Sequence, residues 1–151
     1  MPNRRGDAWK ALINPFHWYE HRVVVQPHHT DYAGIVWHGT YIAWMEEARV
    51  NYLSNCGLTF ADWIRAGVDL PVVDLGLKYR RSLTLGDTAL VKARLGPTKG
   101  VRFVWHYDIQ NADTQETCIE GSVTLAPVDV KTRRVLRRLP DYLQAALETV
   151  L

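Results

Sequence analysis

A single change of periodicity along the chain constrains the fold more than any other feature. Residues 41–55 carry apolar side chains at helical spacing, and further apolar residues lie on other sides of the same helix. Most of residues 70–130 instead fall into short segments with the side-chain pattern of β-strands, separated by turn sequences. The sequence therefore predicts one long, mostly buried helix followed by a sheet. The main apolar stripe of that helix consists of Tyr41, Met45, Ala48 and Tyr52.

Short turn sequences separate the predicted strands. They read GDT, GPTKG and NADTQE, which are typical of tight connections. Short connections join antiparallel neighbours, so one antiparallel sheet wrapped around the long helix is the economical arrangement, an α+β fold. Helices are also expected at 60–66 and 141–150. The expected strands span 18–26, 70–83, 88–96, 101–110, 117–130 and 133–139.

Composition and charge exclude several classes of protein. Of the 151 residues, 47% are apolar and 23% are charged, as in one ordinary globular domain. No run approaches the roughly 18 apolar residues of a membrane span, and the first residues lack the apolar core of a signal peptide. We therefore expect a cytoplasmic protein without a membrane partner. A net charge of +2 gives no reason to expect a nucleic-acid partner.

The stretch just before the long helix is the richest in reactive groups. Asp31 lies about ten residues ahead of the helical pattern, and Gly34 allows a close backbone approach in the same loop. The first amides of a helix have no partners inside the helix and can stabilise a developing negative charge. A carboxylate beside them can act as nucleophile or general base in acyl transfer. On local chemistry alone, however, the favoured interpretation of Asp31 is an aspartate that closes or caps a turn, which is the commonest role of this residue in a loop.

Histidines and one glutamate raise two further possibilities. His28 and His29 are adjacent and lack the spacing of a helical metal site, and the two cysteines have no CxxC spacing, so no metal is expected. Glu46 has Ile42 and Val50 as helical neighbours, which predicts a carboxylate that points into an apolar region. A structural pairing with Arg49 and a functional role remain open for it.

The residues from His29 to Leu58 resemble a known signature. HTDYAGIVWHGTYIAWMEEARVNYLSNCGL is similar to the Asp, small-Gly pair, apolar pair, aromatic, His and aromatic-rich helix of the hotdog-fold acyl-CoA thioesterases. The likeness is to the 4-hydroxybenzoyl-CoA thioesterase and YbgC-like branch. It continues more weakly through YRRSLTLGDTALVKARL and VTLAPVDV to RRLPDY, so that it spans residues 18–142.

This resemblance implies roles for particular residues. Asp31 matches the catalytic carboxylate, and His38 matches the residue whose backbone N–H binds the thioester carbonyl, with Gly39 beside it. A related branch uses a glutamate on the central helix instead, so Glu46 is a secondary candidate. In the family, two sheets join edge to edge, and the active sites lie at the subunit interface. We therefore expect a homodimer or homotetramer that needs no cofactor.

The resemblance also implies how the substrate is held. Coenzyme A carries phosphates that basic side chains can bind, and the family's matching positions are Lys99, Arg102 and Arg137. The acyl group of the CoA thioester is either aromatic, such as hydroxybenzoyl or dihydroxynaphthoyl, or a short to medium fatty acyl chain. Residues 1–17 match nothing in the family and are expected to form an extension to a single domain at 18–151.

Two other functions are compatible with the same fold. A hydroxyacyl-thioester dehydratase requires a histidine and an acid that converge from opposite subunits, and His38 with Glu46 are the candidates. A non-catalytic acyl-CoA-binding protein is the other, although no DNA-binding segment supports a role as a sensor. The signature that begins with Asp31, ahead of the helix, favours hydrolysis.

Overall fold

The computed structural model describes residues 18–96 and 101–148. A short 3₁₀ turn, Pro27–His29, precedes the first helix. The helices are α1 (Thr40–Asn55), α2 (Phe60–Ala66) and α3 (Asp141–Glu148). The strands are β1 (Tyr19–Val24), β2 (Val68–Asp69), β3 (Val72–Tyr79), β4 (Thr88–Leu95), β5 (Phe103–Asn111), β6 (Thr117–Leu125) and β7 (Val128–Asp129).

Five of the strands form one antiparallel sheet in the order β1-β4-β5-β6-β3, and β2 pairs with β7 in a separate two-stranded sheet. This confirms the α+β class. Strand β5 shows the expected alternation, because every second side chain from Phe103 to Ile109 is buried and the residues between them are half-buried. One face of the sheet therefore covers the core, against which α1 packs.

Helix α1 lies very close to the sheet. Met45 and Ala48 are fully buried, and a Cβ added at Gly121 of β6 would come within 3.1 Å of Met45 Cε and 2.9 Å of Leu77 Cδ2. The absence of a side chain at Gly121 therefore lets the helix and the neighbouring strand approach each other. The predicted stripe of α1 forms this contact, with Tyr41 also buried and Tyr52 half-buried.

The prediction that α1 is mostly buried was wrong for one side of the helix. Ile42 and Val50 are each 39% exposed, and Glu46 is exposed between them. Apolar residues at helical spacing show which sides of a helix avoid water, but they do not tell whether the covering surface belongs to the same chain.

The strand expected at 133–139 is a tight turn followed by irregular chain. Asp129 Oδ1 accepts hydrogen bonds from the amides of Lys131 and Thr132, both at 2.8 Å, and Arg133 adopts a left-handed φ of 58°. Only Val135 forms a bridge, to Val128. The aspartate binds the following backbone amides locally, so the strand expected at 133–139 is not formed.

Strand β3 is an exposed edge of the sheet. It pairs only with β6, and nearly every residue along it is exposed. The apolar side chains on this edge include Val73, Leu75 and Tyr79, which are 41–54% exposed. A long apolar edge strand with free backbone groups is a template for pairing with another strand. Within the described ranges, no helix combines the length and apolar character needed to cross a membrane.

Candidate active site

A tight hairpin-like loop positions Asp31 just ahead of α1. The amide of Trp37 donates to the carbonyl of His29 at 3.0 Å, and Thr30 bridges Val36. At the tip, the Asp31 amide donates to the carbonyl of Ile35 at 2.8 Å. Gly34 closes the turn with a φ of 75°, a conformation that glycine adopts without strain. Asp31 therefore lies at the tip of a loop whose base, at His29 and Trp37, leads directly into the helix.

Only one oxygen of the Asp31 carboxylate accepts hydrogen bonds from the loop. Its Oδ1 accepts hydrogen bonds from the amides of Ala33 at 2.8 Å and Ile35 at 3.2 Å. No donor in the described part of the chain reaches Oδ2, and the residue is exposed. The turn-closing role considered from the sequence is therefore present, and it leaves the second oxygen of the carboxylate available for chemistry.

The start of α1 presents backbone amides without acceptors. Gly39 is the N-cap, and the Thr40 amide donates to the Trp37 carbonyl at 2.9 Å. Among the described residues, neither the His38 amide nor the Gly39 amide donates a hydrogen bond. Thr40 Oγ1 donates to the carbonyl of His29 at 2.9 Å, which ties the helix start to the base of the Asp31 loop. Two free N–H groups and a carboxylate are thus held by one network.

Gly39 is required by packing and not by backbone conformation. Its φ of −79° suits any residue, but an added Cβ would lie 2.2 Å from Trp37 Cζ3. The half-exposed ring of Trp37 therefore covers the Cα of Gly39 and forms an aromatic wall next to the free amides.

Glu46 lies apart from this cluster. It follows Gly39 by seven residues, which corresponds to about 10 Å along the helix axis. The predicted pairing with Arg49 is not formed; Arg49 Nη1 donates instead to the hydroxyl of Tyr107 at 3.1 Å. The sequence predicted that the Glu46 carboxylate points into an apolar region. Glu46 lines a largely apolar cavity, but the residue is exposed.

His29 is part of the backbone network of the loop. Its Nδ1 accepts a hydrogen bond from the Gln26 amide at 3.0 Å, and burial together with the neighbouring His28 lowers its pKa. Both observations describe a neutral imidazole in a structural role. In the described part of the chain, no group of three or more His, Cys, Asp or Glu side chains is arranged to hold a metal ion.

A cavity of about 700 Å³ opens between the second half of α1, helix α2 and the covered face of the sheet. Its inner wall is apolar and buried, whereas charged residues such as Glu46, Lys131 and Arg133 are exposed. Sequence reasoning missed this cavity, because aromatic residues at helical spacing look the same whether they fill a core or line a space. The buried aromatic residues of its wall are Trp63, Phe103 and Trp105.

Two of the basic residues proposed for coenzyme A, Arg102 and Arg137, lie far from Asp31 within one chain. Ile35 and Val36 of the Asp31 loop contact Thr84 and Leu83, just ahead of β4, at the end of the sheet where β5 finishes. Arg102 precedes β5 and therefore lies at the opposite end, about 27 Å away along the strand.

Arg137 belongs to the same far end as Arg102. The adjacent Leu136 donates its amide to the Pro127 carbonyl, just past the end of β6. Both arginines are exposed, and neither forms an ion pair within the described ranges. Lys99 lies in 97–100, outside the described residues.

Comparison with known proteins identifies the family. The sequence model of one protein family, the thioesterase-like superfamily, matches residues 25–147. "Putative esterase sll0410" of Synechocystis sp. is 46% identical over 130 residues, which cover 86% of this chain and 78% of that protein. "Putative acyl-CoA thioesterase YneP" of Bacillus subtilis is 37% identical over 82 residues, which cover 54% of this chain and 59% of that protein.

A solved structure shows the same fold. The DHNA-CoA thioesterase from Staphylococcus aureus superimposes with a TM-score of 0.77 at 28% identity, covering 87% of this chain and 89% of that chain. The family match spans most of the sequence, and the sheet order and central helix agree with it. The chain therefore belongs to the thioesterase-like superfamily, has the hotdog fold and is a thioester hydrolase.

Proposed function

We propose that this protein hydrolyses acyl-CoA thioesters to the free acid and coenzyme A at a site shared by two copies of the chain. Two features of one hydrogen-bonded unit carry the proposal. One oxygen of Asp31 receives no hydrogen bond from its loop, and the amides of His38 and Gly39 at the start of α1 have no acceptor among the described residues. The dehydratase alternative, in which His38 and Glu46 converge from opposite subunits, has less support, because the relatives and the solved structure reported above are named esterases or thioesterases.

The chemistry follows from the two groups. The amides of His38 and Gly39 donate to the thioester oxygen as negative charge develops on it. Asp31 either attacks the carbonyl carbon or removes a proton from the attacking water. In both routes the carbon–sulfur bond breaks, and the coenzyme A thiolate leaves and takes up a proton. On the general-base route water supplies the new oxygen of the acid. On the nucleophilic route Asp31 forms a mixed anhydride and supplies that oxygen, and water restores the carboxylate by opening the anhydride at the Asp31 carbonyl.

A dimer joined through β3 completes the site. Two copies that pair antiparallel along this edge bring the Tyr79 end of one strand beside the Val72 end of the other. The Asp31 end of each protomer then adjoins the partner end that carries Arg102 and Arg137. The exposed apolar side chains of β3 support this pairing.

The experiment that tests this function is thiol release from a panel of CoA thioesters, followed with a thiol reagent. The panel contains acetyl, butyryl, octanoyl, benzoyl, 4-hydroxybenzoyl and dihydroxynaphthoyl thioesters. We expect Asp31-dependent release of coenzyme A from at least one of the larger members. Absence of turnover with the whole panel would contradict the function.

The cavity lies at the Arg102 end of its own chain, because Leu95 and Phe103 line it. In the dimer joined through β3, that end adjoins the Asp31 end of the other copy, so the cavity provides room for the acyl or aryl group and filling it should change substrate preference. Val50 lines the cavity and is partly exposed, which makes Val50→Trp a tolerable way to occupy that space. We expect kcat/KM to fall at least tenfold for the best larger substrate and to change little for acetyl-CoA. Ser54→Trp, one turn further along the exposed side of α1, is the matched control. An equal loss for both substrates would place the acyl group elsewhere.

The three basic residues proposed for coenzyme A should affect KM only when the substrate carries the nucleotide phosphates. We expect Arg102→Ala and Arg137→Ala, and Lys99→Ala as the third member of the set, to raise KM for the acyl-CoA about tenfold each, because each removes a charge-assisted phosphate contact. The same acyl group on pantetheine, which lacks the nucleotide phosphates, should be hydrolysed as well by the variants as by the wild type. Rising salt should weaken only the first substrate. Equal effects on both substrates would mean that these cations hold the fold or the dimer.

A further inference from the structure

The edge of the sheet is tied to the start of α1 by one hydrogen bond. Tyr79, the last residue of β3, donates its hydroxyl to the carbonyl oxygen of His38 at 2.8 Å. No amide of helix α1 donates to this carbonyl, because the Ile42 amide donates to the Gly39 carbonyl at 3.2 Å instead. In the described part of the chain, the Tyr79 hydroxyl is therefore the partner of the His38 carbonyl.

The carbonyl that Tyr79 holds belongs to the same peptide unit as the Gly39 amide. A trans peptide is planar, and its C=O and N–H bonds point in opposite directions. Fixing the His38 oxygen from the side of the sheet therefore fixes the direction of the Gly39 N–H on the other side. A hydrogen bond to the carbonyl also polarises the peptide and strengthens its N–H as a donor.

The ring of Tyr79 is itself held in place. It lies 6.0 Å from the ring of Tyr41 at an interplanar angle of 65°. Tyr41 is buried in α1, and its hydroxyl accepts a hydrogen bond from the Leu83 amide at 3.4 Å. Burial raises the pKa of Tyr41 to about 12, so it remains a neutral packing partner for Tyr79 at every pH used in an assay.

We infer that Tyr79 is a positioning residue for thioester hydrolysis: its hydroxyl orients the His38–Gly39 peptide so that the Gly39 N–H faces the thioester oxygen. This inference rests on the proposed function. Tyr79 contacts no reacting atom and acts only through the peptide. The hydrogen bond is formed in the single chain, so the orientation exists before substrate or a second chain arrives.

Removing the hydroxyl should reduce the rate of the chemical step without weakening substrate binding. We expect Tyr79→Phe to lower kcat about tenfold on the best acyl-CoA, with KM within twofold of the wild type. The reason is that the hydrogen bond from the Gly39 N–H to the thioester oxygen is strongest in the transition state. Tyr142→Phe, at an exposed tyrosine of α3, is the matched control and should have wild-type constants.

A spectroscopic measurement separates positioning from general loss of structure. In the 2-oxoalkyl-CoA analogue, a ketone labelled with ¹³C replaces the thioester, and its carbonyl resonance moves downfield when an amide donates to it. We expect a smaller downfield shift on Tyr79→Phe than on the wild type, with the same oligomeric state and unfolding midpoint.

Two results would overturn the inference. One is a Tyr79→Phe enzyme with unchanged kcat and an unchanged ketone resonance. The other is a loss of activity that arises from a higher KM or from dissociation of the oligomer. Either result leaves the proposed hydrolysis intact, provided that wild-type turnover depends on Asp31. Failure of the wild type on every thioester would instead refute the function itself.

Discussion

Replacing Asp31 by asparagine is expected to lower kcat by a factor of about 100 or more, the scale on which removal of an acid–base or nucleophilic group acts. The fold should be unaffected, because the asparagine oxygen can still accept the hydrogen bonds that Asp31 Oδ1 receives from Ala33 and Ile35. The variant therefore removes the charge and keeps the turn. The measurement is thiol release under saturating substrate, together with the unfolding midpoint of both proteins.

His38→Ala is the control for this prediction. Only the backbone of His38 takes part in the proposed site, so the variant should retain most of the wild-type kcat. A loss as severe as that of Asp31→Asn would make the imidazole catalytic and would favour the dehydratase. Wild-type turnover by Asp31→Asn would exclude the carboxylate from the reaction. Single turnover in labelled water distinguishes the two roles of Asp31, since only a nucleophile itself acquires the label.

A charge in the middle of β3 is expected to abolish activity by separating the two chains. In Leu75→Asp, two like charges face each other across the axis of an edge-to-edge dimer, and desolvating them opposes association. The separated protomer keeps Asp31 but loses the partner's cations. We expect a monomer in sedimentation velocity and a fall in kcat/KM of about 100-fold or more.

Arg22→Asp provides the comparison for the edge variant. Arg22 is an exposed residue in the middle of β1, the strand at the other edge of the sheet. The variant should remain at least a dimer and keep its activity. A Leu75→Asp protein that dissociates without losing activity would show that one chain contains a complete site. One that stays associated and fully active would exclude the β3 edge as the interface.

The elements set by local periodicity were predictable from the sequence. Helix α1 was expected at 41–55 and spans Thr40–Asn55, since its stripe, its position after Gly39 and the left-handed Gly57 all favour the same boundaries. Strand β5 follows the same logic, because buried and half-buried side chains alternate along it without interruption. The Asp31 loop was anticipated from residue types, and its geometry leaves one carboxylate oxygen free.

Features that depend on one local side-chain contact or on long-range contacts were not predictable. Asp129 binds the amides that follow it, and residues 133–139 do not form the expected strand. The exposure of Ile42 and Val50 follows from which surfaces one chain leaves uncovered. The hydrogen bond from Tyr79 to His38 joins residues 41 apart in sequence, and a tyrosine at the end of a strand carries no signal of its partner.

Complementation between two defective chains tests the shared site most directly. Chains with Asp31→Asn and chains with both Arg102→Ala and Arg137→Ala are co-expressed with different tags, and the mixed dimer is purified by both tags in turn. If Asp31 of one chain works with the cations of its partner, one of the two sites in the mixed dimer is intact, and we expect about half of the wild-type kcat/KM per dimer, far above either parent. If instead one chain supplies all of these groups, every site carries a defect, and a mixed dimer no more active than its parents would contradict the shared thioesterase site.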